Sequence, residues 1–172
     1  MGVGLSRLRN LWHYGTAVFA TAVLTGMAIV PGGAAPTASS IRIEKPWARP
    51  GVAAPPGAHG SSMIMGPGTS AIYMIIHNNG TDGDQLLSAE ADVATAVELH
   101  ETRMEGGTSR MHKLAAIAIP ARGRVELRPG GLHIMLLGLR RDLKEGEQFT
   151  ATLHFERAKT VTVPVPVRMT AP

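Results

Sequence analysis

The chain has 172 residues, of which 44% are hydrophobic but only 4% aromatic, with a formal net charge of +4, seven histidines, nine methionines and no cysteine. That length fits one domain plus a small addition, with a core built from aliphatic side chains and methionine. The missing thiol excludes disulfides, thiolate metal sites, cysteine nucleophiles and iron–sulfur ligation. The weak positive charge, with no basic stripe and no interleaved aromatics, gives no case for nucleic acid as a partner.

Residues 1–38 have the layout of a secretory signal peptide: Arg7 and Arg9 precede the apolar run TAVFATAVLTGMAIV at 16–30, and the small residues of PGGAAPTASS follow. The run is shorter than the roughly 20 residues a spanning helix needs. Cleavage near Ala38 is therefore expected, with retention as an N-terminal anchor as the alternative; only retention would bring a membrane into contact. Loss of Arg7 and Arg9 takes the charge from +4 to +2. Export implies a periplasmic or other extracytoplasmic location.

Residues 39–172 form the expected domain. IRIEKPWARP (41–50) alternates and then meets Pro46 and Pro50, as a first strand at a sheet edge does. The stretch 51–69, GVAAPPGAHGSSMIMGPGT, is rich in Gly, Pro and Ser with no period and reads as a long loop. SAIYMIIHNNG is a strand ending in an Asn-Asn-Gly turn. DQLLSAEA, TAVELHETRM, RMHKLAAIAIP (110–120), GRVELRPGG, LHIMLLGL, EQFTATLHFE and TVTVPVPVRM continue the series. DVATAVEL could equally form a short helix. The prolines of the last strand put it at an edge. Eight or nine short strands with regular turns give an all-β fold, a Greek-key sandwich or barrel.

The strand LHIMLLGL carries His133 and Met135 two positions apart, and therefore on one face. By themselves these are a rim histidine and a core methionine. His100 in VELHETRM and Met111 in RMHKL sit on two strands joined by a short EGGTS turn, which could bring both to the same rim. Imidazole with thioether suits Cu(I), a soft ion that accepts few ligands. A thioether is uncharged at every pH, so the ion can leave without a proton returning to that ligand. Such a site suits transfer better than permanent capture.

The order His100, ten residues, Met111, twenty-one residues, His133, one residue, Met135 matches an H-x10-M-x21-H-x-M pattern. With it come KPWARP, AIYMIIHNNG, VELHET, IPARGRVELRPGGLHIMLLGL and DLKEGEQFTATLHFE, so that the likeness spans nearly all of 41–168. In these features the chain resembles the PCu(A)C-type periplasmic copper chaperones. The resemblance implies a cupredoxin-like β-barrel holding Cu(I) through His100, Met111, His133 and Met135 at the barrel's end. It also implies delivery of copper towards the CuA centre of a haem–copper oxidase, with an oxidase subunit or a Sco-type thiol protein as acceptor. A periplasmic copper buffer or resistance protein with no dedicated acceptor is the alternative.

Met104, four residues after His100, is a candidate extra thioether. His59, Met63 and Met65, in the long loop, are candidates for a second, weaker copper-capturing arm or a lid over the main site, with Cu(II) as an alternative occupant of such a secondary site. His77, His112 and His154 read as structural histidines and Met74 as core. A blue-copper carrier needs a cysteine and is excluded. No nucleophile elbow, HExxH or P-loop points to an enzyme.

Overall fold

A computed structural model describes residues 40–54 and 68–172. All of these belong to the unit Thr37–Pro172; the expected leader and His59, Met63 and Met65 of the long loop lie outside the described residues.

Ten strands carry the fold: β1 (Ile41–Ala48), β2 (Thr69–Asn78), β3 (Asp84–Ala91), β4 (Ala94–Glu105), β5 (Thr108–Leu114), β6 (Ile117–Ile119), β7 (Gly123–Leu127), β8 (Leu132–Leu139), β9 (Gln148–Phe155) and β10 (Thr160–Pro166). One sheet runs β1-β2-β8-β4-β5, with β7 also paired to β2; the other runs β10-β9-β3-β6. Every strand pairing is antiparallel. The fold is the all-β sandwich that the turn spacing predicted. β1 and β10 lie at sheet edges, as their prolines require.

The alternation of each strand sorts its residues between two faces. Ile72, Met74 and Ile76 of β2, Leu99 of β4 and Ile134 and Leu136 of β8 meet Leu86, Ala151, Leu153, Phe155, Val163 and Val165 of the other sheet in the main core. On the outer face of the six-stranded sheet a second cluster forms from Trp47, Ala71 and Tyr73. A bulge between Glu44 and Trp47 joins the two patterns. Lys45 there has a φ of 50°, and the extra residue switches the parity of β1, so that Trp47 turns onto Tyr73 while Ala48 enters the core.

Two expectations are corrected. The stretch 110–120 is not one strand: β5 ends at Leu114 in the first sheet, and Ile117–Ile119 pairs with β3 in the second. Ala115 and Ala116 make the corner, because Ile117 and Ile119 are buried only if the chain changes sheets. DVATAVEL forms no helix; β4 begins at Ala94 and is held against β8 from Ala94↔Leu139 to Glu101↔Leu132.

Candidate metal centre

The outer sheet face around β8 is assembled by two tight turns. Between β4 and β5, Glu105 pairs with Thr108 across Gly106-Gly107. Those glycines have φ of 58° and 81°, the doubly left-handed form that favours two-residue hairpins. The hairpin sets the register His100↔Lys113, Thr102↔Met111 and Met104↔Ser109. Between β7 and β8, Arg128-Pro129-Gly130-Gly131 closes with the Gly131 N–H donating to the Arg128 carbonyl at 3.0 Å. Pro129 presets the first corner and Gly130, at φ 76°, supplies the second, the signature of a type II turn.

β8 then pairs His100↔His133 and Glu98↔Met135 with β4, and Ala71↔Met135 with β2. Directly opposed residues share a face. His133 and Met135 therefore face the same way as Glu98, His100, Thr102 and Met104 of β4 and as Met111 and Lys113 of β5. Ile134 and Leu136 face the main core. The tertiary fold brings His100, Met111, His133 and Met135 to one sheet face on three neighbouring strands. That face, not the end of the barrel, is where they gather.

Their surroundings prepare the two imidazoles differently. His133 is 4% exposed. Its Nδ1 lies 3.0 Å from the Gly131 carbonyl, which can only accept, so Nδ1 carries the hydrogen and Nε2 keeps its lone pair. Burial, only partly offset by that carbonyl, and the neighbouring His100 hold its pKa below the ordinary 6.5; it is neutral at neutral pH. His100 is reversed. Its Nε2 lies 2.9 Å from Glu98 Oε2. The ammonium of Lys113, 2.6 Å from Glu98 Oε1, and then His100 itself keep that carboxyl below its usual range. The ionised carboxylate accepts, so His100 donates from Nε2. Its Nδ1 is buried and has no hydrogen-bond partner.

A buried polar atom without a partner costs free energy unless something occupies it. The ring centroids of His100 and His133 are 5.8 Å apart. A ring bound about 2.0 Å from a metal has its centroid about 3.2 Å away, so two rings on one ion stand no more than roughly 6.4 Å apart. The pair fits a shared ion. Met135 is 2% exposed and Met104 is 70% exposed; Met111 is half-buried between them in exposure. Behind His133 stands Tyr73, 6.3 Å centroid to centroid, itself 4.7 Å from Trp47. Among the described residues no group of three or more His, Asp or Glu side chains gathers to hold a metal. The donors here are two imidazoles and thioethers, a set that favours a soft ion.

Three other histidines among the described residues, His77, His112 and His154, lie near carboxylates. His112 points to the opposite face and pairs with Glu105 at 2.9 Å. His77 pairs with Glu44 at 2.9 Å, and His154 lies 3.3 Å from Glu90. Met74 is core, at 1% exposure. Sequence reasoning missed Glu98, the Gly131 carbonyl and Tyr73. The rule that linked His133 to Met135 would have found Glu98, which stands two residues before His100 on one strand.

The sequence matches the family described as "Putative lipoprotein LpqE-like" over residues 41–167. It is 30% identical over 150 residues to "Putative lipoprotein Lxx21020" of Leifsonia xyli subsp. xyli, covering 84% of this chain and 82% of that one. Among solved structures it is similar to the copper-bound PCuAC domain from PmoF2, at TM-score 0.57 and 28% identity over 77% of this chain and 94% of that one. It is also similar to CuI-DR1885 from Deinococcus radiodurans, at TM-score 0.53 and 31% identity over 74% and 78%. The sandwich is thus cupredoxin-like, and the neighbours are PCuAC domains.

Proposed function

The chain belongs to the LpqE-like family, and from that premise we propose that it is an exported Cu(I) carrier that hands its ion to a protein acceptor. The observation that carries this reading is the orphaned, buried Nδ1 of His100 on a ring 5.8 Å, centroid to centroid, from that of His133, whose Nε2 keeps its lone pair. The copper-bound state of a PCuAC neighbour supports it, as does the Cu(I) form of another. His100, Met111, His133 and Met135 are the proposed ligands; Met104 is an exposed thioether further along the same face. The lipoprotein names of the family and of the Leifsonia relative support export.

The donor set suits release. Neither thioether has to be reprotonated when copper leaves, and His133 already presents the lone pair of its Nε2. We assign the acceptor to the oxidase CuA subunit or a Sco-type thiol protein.

Cu(I) titration against a chromogenic chelator, run beside a His133→Ala/Met135→Ala variant, tests the site. Loss of tight binding in the variant is expected; equal, weak binding by both proteins would refute the reading. Transfer kinetics to a cysteine-ligated acceptor then separate a carrier from a buffer. A carrier shows a rate that rises with acceptor concentration through a direct complex. A buffer shows a rate limited by release of free copper.

A further inference from the structure

About 13 Å along β2 from Tyr73, the same sheet carries a second group of side chains that the copper reading does not use. His77, Asn78, Asn79, Arg122, Gly123 and Arg124 line a groove of about 330 Å³. Pairing of β2 with β7 sets Arg124 opposite His77 and Gly123 opposite Asn78. Most of the polar groups in the walls are already engaged. Asn78 donates to the Asp82 carbonyl at 2.8 Å and accepts from the Gly80 N–H at 2.9 Å. His77 is held by Glu44 at 2.9 Å, and Glu44 also holds Arg42 at 3.0 Å.

Arg122 and Arg124 are different. Both are exposed, and among the described residues neither takes part in an ion pair. Arg122 also has a φ of 48° in the turn that Gly123 closes onto Pro120, a conformation that costs a non-glycine residue. Its backbone is fixed there by its N–H donating to Gly80 at 3.0 Å and by Gly123 N–H donating to Pro120 at 3.2 Å. Glycine is needed next door, since a Cβ at Gly123 would lie 2.7 Å from Pro120 Cγ. A guanidinium has donors only, so two of them lining one groove, with no carboxylate among the described residues bound to either, can receive an oxyanion there.

The chain's own connection says which oxyanion. Asn79, on the lip of the groove, donates its N–H to the Ser40 carbonyl at 2.8 Å. Where the apolar run 16–30 is retained as an N-terminal anchor rather than cleaved, Ser40 joins the domain to it, and nine intervening residues span at most roughly 30 Å. Relatives are named lipoproteins, yet none of these 172 residues is a cysteine that could carry a thioether-linked lipid. We propose that Arg122 and Arg124 form a site for the phosphate of an anionic phospholipid headgroup, seating the domain on a membrane surface. The outer sheet face is then held beside the lipid.

The test is partitioning of the full chain onto vesicles of zwitterionic lipid with and without anionic phospholipid, for three proteins. These are the parent, Arg122→Gly/Arg124→Gln, and a control of equal charge loss, Lys144→Gln/Arg168→Gln. Glycine accepts the φ of residue 122, so the first variant keeps the fold, and chelator titration should show its Cu(I) binding unchanged. All three share Arg7, Arg9 and the apolar run. The parent should prefer anionic vesicles, and the groove variant should lose about tenfold or more of that partitioning while the control loses much less. Equal losses in both variants, or a parent indifferent to lipid charge, would overturn the proposal. So would inorganic phosphate at low millimolar concentration displacing the parent fully from anionic vesicles, since that identifies free phosphate as the ligand.

Discussion

At the residue scale, the candidate centre depends on which atom of each histidine is spoken for. Glu98 and the Gly131 carbonyl each take one N–H and leave the other nitrogen bare. A carboxylate or carbonyl in that position orients a ligating imidazole and raises its basicity, and its loss commonly weakens metal affinity about 10–100-fold. Glu98→Gln is therefore expected to lower Cu(I) affinity within that range, read by chelator competition, while the unfolding midpoint stays close to the parent's. An unchanged affinity would mean that Glu98 serves only the Lys113 ion pair. Asp84 makes a residue-scale prediction about pH. Burial pushes its carboxyl up, but N–H donors of Arg157, Ala158 and Gln85 outweigh this and hold it below the usual 3.8. A depressed carboxyl stabilises the fold above its unfolded pKa, and that contribution is lost as pH falls through the folded value. The parent should thus lose stability below about pH 4, and Asp84→Asn should flatten that acid limb in urea titrations at successive pH values. The variant should also be less stable at neutral pH by about 2 kcal/mol, the worth of hydrogen bonds to a charged group.

At the element scale, β8 serves two faces at once. Ile134 and Leu136 belong to the core, while His133 and Met135 look outward. Ile134→Ala should cost about 2–5 kcal/mol of stability yet keep Cu(I) binding in the folded fraction. His133→Ala should abolish tight binding even in the folded fraction, with its own stability cost from the loss of a buried ring. If Ile134→Ala also abolished Cu(I) binding in its folded fraction, the division of the strand into two faces would be wrong. The turn before β8 is as important as the strand. A Cβ at Gly130 meets nothing within 4 Å, so Gly130→Ala tests backbone conformation alone. The left-handed φ should cost roughly 1–2 kcal/mol, visible as a lowered melting temperature. This element pattern was readable beforehand: alternation located β8, and Pro-Gly-Gly marked its turn. The break between β5 and β6 was not readable, because Leu114 and Ile117 both look like members of one apolar run. Only the partner strands decide that they lie in different sheets.

At the scale of the whole molecule, one aliphatic core between two sheets holds the fold, and the proposed ligands lie on the far side of one sheet from it. The protein should therefore unfold cooperatively without copper. Cu(I) should raise the melting temperature by mass action, increasingly with free-ion concentration. A copper-free protein with no cooperative transition would contradict this separation of core and site. The sequence by itself determined the class of fold, through short alternating strands and their turn residues, while the four residues of the candidate centre came from its resemblance to the PCu(A)C-type chaperones. The fold class was legible because alternation and turn chemistry act over a few residues. The tertiary structure alone decided that the centre lies on a sheet face. It also decided that Glu98 and Gly131 set opposite tautomers, and that Arg122 and Arg124 meet His77 at a groove beside Ser40. Those juxtapositions depend on which distant strands pair and in what register, and that is set by burying the whole core at once.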